Sequence, residues 1–342
     1  MINVGLFTSV YFNNIGNGFI DLGAEATLKE AMPQDASLVK ISQCANFAAS
    51  MGKSFALKEN PMINWIWVHT MQKYGKKLHD KSYDTISTLD VFSVAKIVKL
   101  DVLIIPGCVL TVPFFTIYGK LLEDKVNEGC KLVFLGASGN YYTDYEIKTV
   151  SSYLRRLKPY AIMCRDSVAY DNYHDLAPYT YNGIDNVFFV NKLALPKLET
   201  TLGHYVVVNL EEPKHKDLKK HLVETLTSEG KNIIYTNHKP FPYSKVSELV
   251  KEKNTMVSDY PLDYLNLYRN VDCVYSDRVH ACIPTLSFGN KAVLFSDSPR
   301  KALFENVGIK HIDAKPLQPV DLAGKQNSQI AYLRKVLNSI SL

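Results

Sequence analysis

Arg278 and His280 stand two residues apart in the stretch YSDRVHACIPTLSFGNKAVLFSD, which runs from Tyr275 to Asp297 and is otherwise largely apolar. A guanidinium presents a rigid fork of donors to carboxylate or phosphate, and imidazole ordinarily titrates near neutral pH. At a helix start, unpaired backbone N–H groups and the positive dipole end add to both. The trio makes an anion pocket beside a proton donor. The structural alternative is an Arg278 salt bridge to a nearby Asp, with His280 as a mere cap.

Other residues in the chain have comparable chemistry. NNIGNG (13–18) is a glycine-bearing loop that opens a helix, so Asn14, Gly16 and Asn17 lie where backbone N–H groups can meet an anion. It is not G-x-G-x-x-G and has no P-loop lysine. Arg165 follows an apolar strand in CRDS and can hold an anion or pair with Asp166. His238, in TNHKPF, is a second strand-end histidine, readable also as a hydrogen-bonded loop residue. Lys301 reads as a phosphate contact or a solvated surface lysine. Asp21 reads as a carboxylate base or a polar position of the first helix.

Positioning these groups requires strands that alternate with helices. INVGLFTSV, SLVKIS, LDVLIIPG, KLVFLGASG and YAIMCRDS are apolar, β-rich runs, separated by helical patterns over FIDLGAEATLKEA, from Pro113 to about Glu128, and from Tyr145 to Leu157. The pattern loosens over NKLALPKLETTLGH (191–204) and then restarts with HYVVVNLEE, NIIYTNH, TMVSD, DCVYSD and KAVLFSD, again with helices between. This predicts an α/β fold of two Rossmann-like domains whose parallel sheets face a cleft, the GT-B type. The boundaries read as 1–195 for the first domain and 196–342 for the second, with the last helix, near 326–340, packing back on the first. One stretch departs from the scheme. NPMINWIWVHTMQKYGKKLHDKSYD (60–84) carries both tryptophans among basic residues. It reads as an amphipathic helix packed on the sheet, or as a surface for a saccharide or a membrane-borne acceptor.

The bulk numbers narrow the function classes. A chain of 342 residues with 46% hydrophobic and 21% charged residues suits two soluble domains. A net charge of +5 without basic blocks admits an anionic ligand and gives no support for nucleic acid. Six dispersed cysteines, with no C-x-x-C and no Cys/His cluster, predict reduced thiols and no metal site. The N-terminal residues lack a basic targeting region, and no apolar run reaches the length of a membrane span, so the expected compartment is the cytoplasm.

The segment SDRVHACIPTLSFGNKAVLFSD, with PRKALFENVG after it, resembles the C-terminal signature of the polysaccharide pyruvyl transferase family, through Arg278, Val279, His280, Ala281, Gly289, Val293 and Lys301. NIGNGFIDLGAEATLKEA, IIPGCVL and CRDSVAYDNYHDL are similar to shorter family elements. Asn17 stands where many members have an acidic residue, the nearest carboxylate being Asp21, and Cys108 replaces a glycine after Gly107. The resemblance implies transfer of a pyruvyl group from phosphoenolpyruvate to two hydroxyls of a saccharide, forming a ketal in cell-surface or exopolysaccharide synthesis. It implies no cofactor beyond that donor substrate. The expected roles are His280 as acid, Asp21 as base, and Arg278, Arg165 and Lys301 on the anion. Asn14, Gly16, Asn17 and His238 complete the binding set. The acceptor is free or lipid-linked, the latter placing the protein at the inner face of the membrane. Two rival readings share the fold: a glycosyltransferase with a nucleotide-sugar donor, for which Glu211 or Glu212 would hold the ribose, and a non-catalytic saccharide-binding protein.

Overall fold

The computed structural model describes residues 2–8, 14–43, 93–195, 201–238, 253–296, 299–313 and 315–340. The tryptophan-bearing stretch 60–84, Asn13, and the helix expected over 244–253, save its last residue, lie outside the described residues. The chain forms two compact units. The first comprises 1–10, 32–183 and 332–342, and the second comprises 11–31 and 184–331. The division therefore falls between Gly183 and Ile184 rather than near 195. It also assigns the first helix to the second unit, which a linear reading of alternating strands and helices cannot anticipate.

The first unit is a parallel six-stranded sheet in the order β2-β1-β3-β4-β5-β6. Its strands are β1 (Asn3–Thr8), β2 (Ser37–Ser42), β3 (Val102–Pro106), β4 (Lys131–Ala137), β5 (Ala161–Cys164) and β6 (Tyr179–Asn182). β3 is buried at every position and β4 at all but its first, as expected of parallel strands covered on both faces. The covering helices are α2 (Val112–Asn127), α3 (Asp144–Leu157) and α4 (Ser167–Tyr173). Each begins at a side chain that accepts a hydrogen bond from an N–H three residues on: Thr111 from Phe114, Thr143 from Glu146, and Asp166 from Ala169.

The second unit holds a parallel sheet ordered β11-β10-β7-β8-β9. Its strands are β7 (Tyr205–Asn209), β8 (Asn232–Thr236), β9 (Thr255–Met256), β10 (Cys273–Ser276) and β11 (Lys291–Leu294). The chain builds outward from β7 through β8 to β9, then resumes on β7's other side with β10. The switch point between β7 and β10 is where open α/β sheets form ligand crevices. Register pairs Asn209 with Ser276 at that end.

Helices α1 (Ile15–Ala31), α5 (Lys216–Ser228), α6 (Pro261–Arg269), α7 (Val279–Ser287) and α8 (Ala302–Glu305) belong to this unit, together with the start of α9 (Leu322–Ile340). α1 explains its own placement. It is buried on most faces, from Ile15 and Phe19 to Leu28 and Ala31, and Gly23 meets the turn Asn186–Lys192 backbone to backbone. A Cβ at Gly23 would lie 1.9 Å from the carbonyl oxygen of Asn186. Only glycine permits that approach.

Candidate functional site

The chemistry collects where β7 and β10 end. Asn209 and Ser276, facing each other across the two strands, are joined by a 2.9 Å hydrogen bond from Ser276 Oγ to Asn209 Oδ1. Beyond them the chain runs Glu211–Glu212 on one side and Asp277–Arg278 on the other. Arg278 is the N-cap residue of α7, with extended backbone (φ −109°, ψ 118°). This projects its guanidinium back over the strand ends, where Nε and Nη2 donate to Glu211 Oε2 at 3.1 and 2.9 Å. Asp277 turns inward. Its Oδ2 accepts from the backbone N–H of Glu211 and Glu212, both at 2.8 Å, and lies 3.0 Å from His215 Nδ1. The two loops are thereby tied together by buried carboxylates, each bonded to the other strand's loop.

Burial raises both carboxyl pKa values. For Glu211 the Arg278 charge and the His238 N–H pull back. For Asp277, His215 and the two loop N–H groups do so. Neither carboxylate is a free base, because each is already engaged in bonds that hold the loop pair.

α7 starts directly after Arg278, which puts His280 in its first turn, 6% exposed. The imidazole sits between a close backbone approach and a side-chain carboxylate. On one side is Gly16, where a Cβ would lie 2.7 Å from His280 Nδ1 and 2.8 Å from its Cβ. On the other, His280 Nε2 is 3.8 Å from Oδ2 of Asp185, a fully buried carboxylate. The other oxygen of Asp185 accepts from Val187 N–H at 2.8 Å and so orients the group. The loop before α1 arrives beside His280 through two bonds: Asn14 Oδ1 accepts from Gly16 N–H at 3.0 Å, and Ile15 N–H donates to the His238 carbonyl at 3.2 Å.

These groups line a recess of about 210 Å³ whose walls include Asn14, His238, Asp277, Arg278, His280 and Arg300. Of the residues expected from the sequence, Arg278, His280, His238 and Asn14 thus come together, with Gly16 directly behind His280. Four others do not line it. Asp21 lies within α1 and is 4% exposed, since one helical turn beyond Asn17 carries it into the packed face of the helix. Asn17 is committed to the first turn of α1, its N–H on the Asn14 carbonyl at 2.9 Å. Lys301 extends to Asp313 Oδ2 at 2.8 Å on the surface, and its neighbour Arg300 lines the recess instead. Arg165 belongs to the first unit, where it is 1% exposed and its Nε donates to Ser138 Oγ at 2.8 Å.

Asp185, Arg300 and His215 were not singled out by sequence reasoning. Arg300 had a signal, an arginine one place before the chosen lysine; which of two adjacent cations turns inward is a matter of helical phase. Among the described residues, no group of three or more His, Cys, Asp and Glu side chains is arranged to hold a metal ion. No helix among them is long and apolar enough to cross a membrane.

A family model described as polysaccharide pyruvyl transferase matches residues 25–299. The chain belongs to the polysaccharide pyruvyl transferase family. The matched span of this pyruvyl transferase family member includes Arg165, His238, Arg278 and His280; Asn14, Gly16 and Arg300 lie beyond its ends. No curated protein matches the chain. Among solved structures, the S. aureus MnaA–UDP co-structure is similar with a TM-score of 0.54 at 9% identity, over 99% of this chain and 91% of that one. The Methanocaldococcus jannaschii UDP-GlcNAc 2-epimerase in complex with UDP-GlcNAc and UDP gives a TM-score of 0.52 at 12% identity, over 98% and 93%. A putative UDP-N-acetylglucosamine 2-epimerase from Listeria monocytogenes gives 0.52 at 9% identity, over 99% and 89%. At such identities the likeness shows the fold alone, which is the GT-B type with two Rossmann-like units.

Proposed function

We propose that the protein transfers the pyruvyl unit of phosphoenolpyruvate to two hydroxyls of a saccharide, forming a cyclic ketal and releasing inorganic phosphate. The observation that carries this reading is the recess at the β7/β10 switch point, where Arg278 and Arg300 stand with His280 at the start of α7. Phosphoenolpyruvate is a small, strongly anionic ligand, and two guanidinium groups at a helix N-terminus are its complement.

Protonated His280 gives its proton to the methylene carbon of the enol, and positive character develops at the neighbouring carbon. One saccharide hydroxyl adds there and loses its proton, giving a tetrahedral phospho-ketal. Phosphate leaves with the C–O bonding pair, and the second hydroxyl closes the ring and loses the second proton. Of the two hydroxyl protons, one replaces that given by His280 and the other leaves with phosphate. Asp185, 3.8 Å from His280 Nε2, favours the imidazolium that the first step needs. Arg278 and Arg300 hold the phosphate as it takes up charge.

The nucleotide-sugar reading finds less support. Glu211, its first candidate for a ribose, is held by Arg278 and by the His238 N–H. Glu212 remains at the rim of the recess, so nucleotide sugars belong in the test. The protein is titrated calorimetrically with phosphoenolpyruvate and with UDP-sugars, and Arg278→Ala serves as the control. Saturable binding of phosphoenolpyruvate that disappears in the variant supports the proposal. Binding of a UDP-sugar with no response to phosphoenolpyruvate overturns it. Loss of phosphate release in a folded His280→Ala protein removes the non-catalytic reading.

A further inference from the structure

The planar guanidinium of Arg278 has a side edge, Nε with Nη2, and an end edge, Nη1 with Nη2. The side edge is occupied. Nε and Nη2 both donate to one oxygen, Glu211 Oε2, at 3.1 and 2.9 Å. The second carboxylate near the guanidinium is on the same side, with Asp277 Oδ1 3.7 Å from Nε. Among the described residues, no carboxylate or carbonyl accepts from Nη1. Arg278 lines the recess with its side chain 21% exposed, whereas the Glu211 side chain is 2% exposed and is not part of the recess wall.

Glu211 is itself fixed from its other end. Its Oε1 accepts from the His238 backbone N–H at 2.6 Å and from Asn209 Nδ2 at 3.2 Å. The Asn209 amide is oriented by the Thr236 carbonyl, which only accepts and lies 3.1 Å from Nδ2. Both Glu211 oxygens thus face groups that only donate. An ionised carboxylate satisfies that set, and a group carrying one N–H or O–H of its own does not. Asn209 ends β7, His238 follows β8 and Arg278 follows β10, so one buried carboxylate gathers the ends of three adjacent strands.

We infer that Glu211 is the positioning residue for anion capture: by holding the side edge of Arg278, it leaves the end edge for two oxygens of one carboxylate or phosphate group bound in the recess. The inference deepens the function proposed above and rests on that reading only for the identity of the anion. An arginine clamped beforehand has already lost the rotamer freedom that binding would otherwise cost, and its free edge matches two oxygens of a single group. The charge of Glu211 works the other way. As a charge alone it repels an anion, so neutralising it would tighten binding. As a positioning residue it must be kept for binding to occur, and the two roles predict opposite signs.

Two arms test this on the full-length protein. In the first, arginine side-chain ¹H–¹⁵N resonances are recorded alone and with phosphoenolpyruvate, inorganic phosphate or UDP. Those of Arg278 are assigned by their loss in Arg278→Lys. Its Nη resonances are expected to shift on addition of an anion, and its Nε–H to shift less. A larger shift at Nε–H means that the anion displaces Glu211 and overturns the inference, as does an Arg278 that none of the three moves. A response to phosphate or UDP with none to phosphoenolpyruvate supports the end-edge role while sinking the pyruvyl-donor reading. Displacement at Nε–H by phosphoenolpyruvate keeps that reading and removes this one.

The second arm measures affinity by calorimetry for the anion that gives the shift. Glu211→Gln keeps the size of the side chain but turns an NH₂ toward either the Arg278 fork or the His238 N–H. Affinity is expected to fall about 10-fold to 100-fold. Unchanged or tighter binding overturns the inference. In an Arg278→Lys background there is no side edge to hold, and the same substitution is expected to change affinity by less than about threefold. An equal loss in both backgrounds shows a merely structural role and rejects the inference. The first arm needs no change at Glu211, so it decides which edge meets the anion even where Glu211→Gln does not fold.

Discussion

The two units carry mirror-image dipeptides at the ends of parallel strands, Arg165–Asp166 after β5 and Asp277–Arg278 after β10. In the first unit the arginine comes first and is 1% exposed, and Asp166 is the N-cap of α4, accepting from Ala169 N–H at 2.8 Å and from the Tyr142 hydroxyl. In the second unit the order is reversed. Asp277 is buried and ties the two strand-end loops together, while Arg278 takes the N-cap position with its side chain 21% exposed at a recess. The residue in the N-cap position has extended backbone and projects toward the helix start. Its partner one place earlier still follows the strand and is pulled into the core. A one-residue change in order therefore decides whether the acid or the base takes the N-cap position.

The largest expected effect breaks this comparison on stability. Arg165→Ala empties a fully buried site and orphans Ser138, and should cost about 3–5 kcal/mol. Arg278→Ala should cost clearly less while abolishing anion binding. Denaturant unfolding followed by calorimetry checks both, and equal stability losses would erase the distinction between a structural and a ligand-facing arginine.

Next comes Gly16→Ala, whose added Cβ would meet the His280 ring at 2.7 Å. Overpacking of this kind costs about 1–3 kcal/mol, and displacing His280 should lower phosphoenolpyruvate-dependent phosphate release about 10-fold to 100-fold. A fully active variant would mean that the ring's contact with α1 has no bearing on catalysis.

A smaller effect separates the titrating groups. His238 has a lowered pKa in the folded state, so the unfolded chain binds more protons just below pH 6.5. Its contribution to stability is complete above that value and declines on acidification, by at most about 1.4 kcal/mol per pH unit. Glu211 and Asp277, with raised values, act oppositely, their contribution to stability falling as pH rises above 4.5 and 3.8. Subtracting the stability of His238→Asn from that of wild type between pH 5 and 7 isolates the histidine. A flat difference would show that it is not held neutral.

The smallest effect sharpens the comparison at the edge of the recess. Lys301→Ala removes only a surface pair with Asp313, worth about 0–1 kcal/mol, and should leave anion affinity within twofold. Arg300→Ala should lower it about 10-fold. Isothermal titration of the pair distinguishes them, and a larger loss from Lys301 would reverse their assignment.

Much of this was legible in the chain. The strand ends carrying Arg278, His280 and His238 could be found because strand, turn and helix leave their own periods in the sequence. The glycine loop around Gly16 was legible as a helix start. Its partner was not, since nothing in NNIGNG says that the glycine faces His280. Asp21 failed for a related reason: α1 is apolar on several faces, so periodicity cannot show which turn is covered. Asp185 carried no motif, because its role depends on a carboxylate oxygen reaching a ring supplied by a distant helix.

What the sequence determined by itself is the α/β alternation, the strand ends at which ligands are met, and the chemical groups available there. These follow from local rules of propensity, periodicity and turn chemistry. Only the tertiary structure decided that α1 joins the second unit, that Arg300 rather than Lys301 enters the recess, that Asp185 backs His280, and that the His238 ring packs among Phe19, Tyr264 and Tyr268. Each of those depends on backbone approach or on hydrogen bonds between residues far apart in the chain, and such pairings exist only once the core has closed.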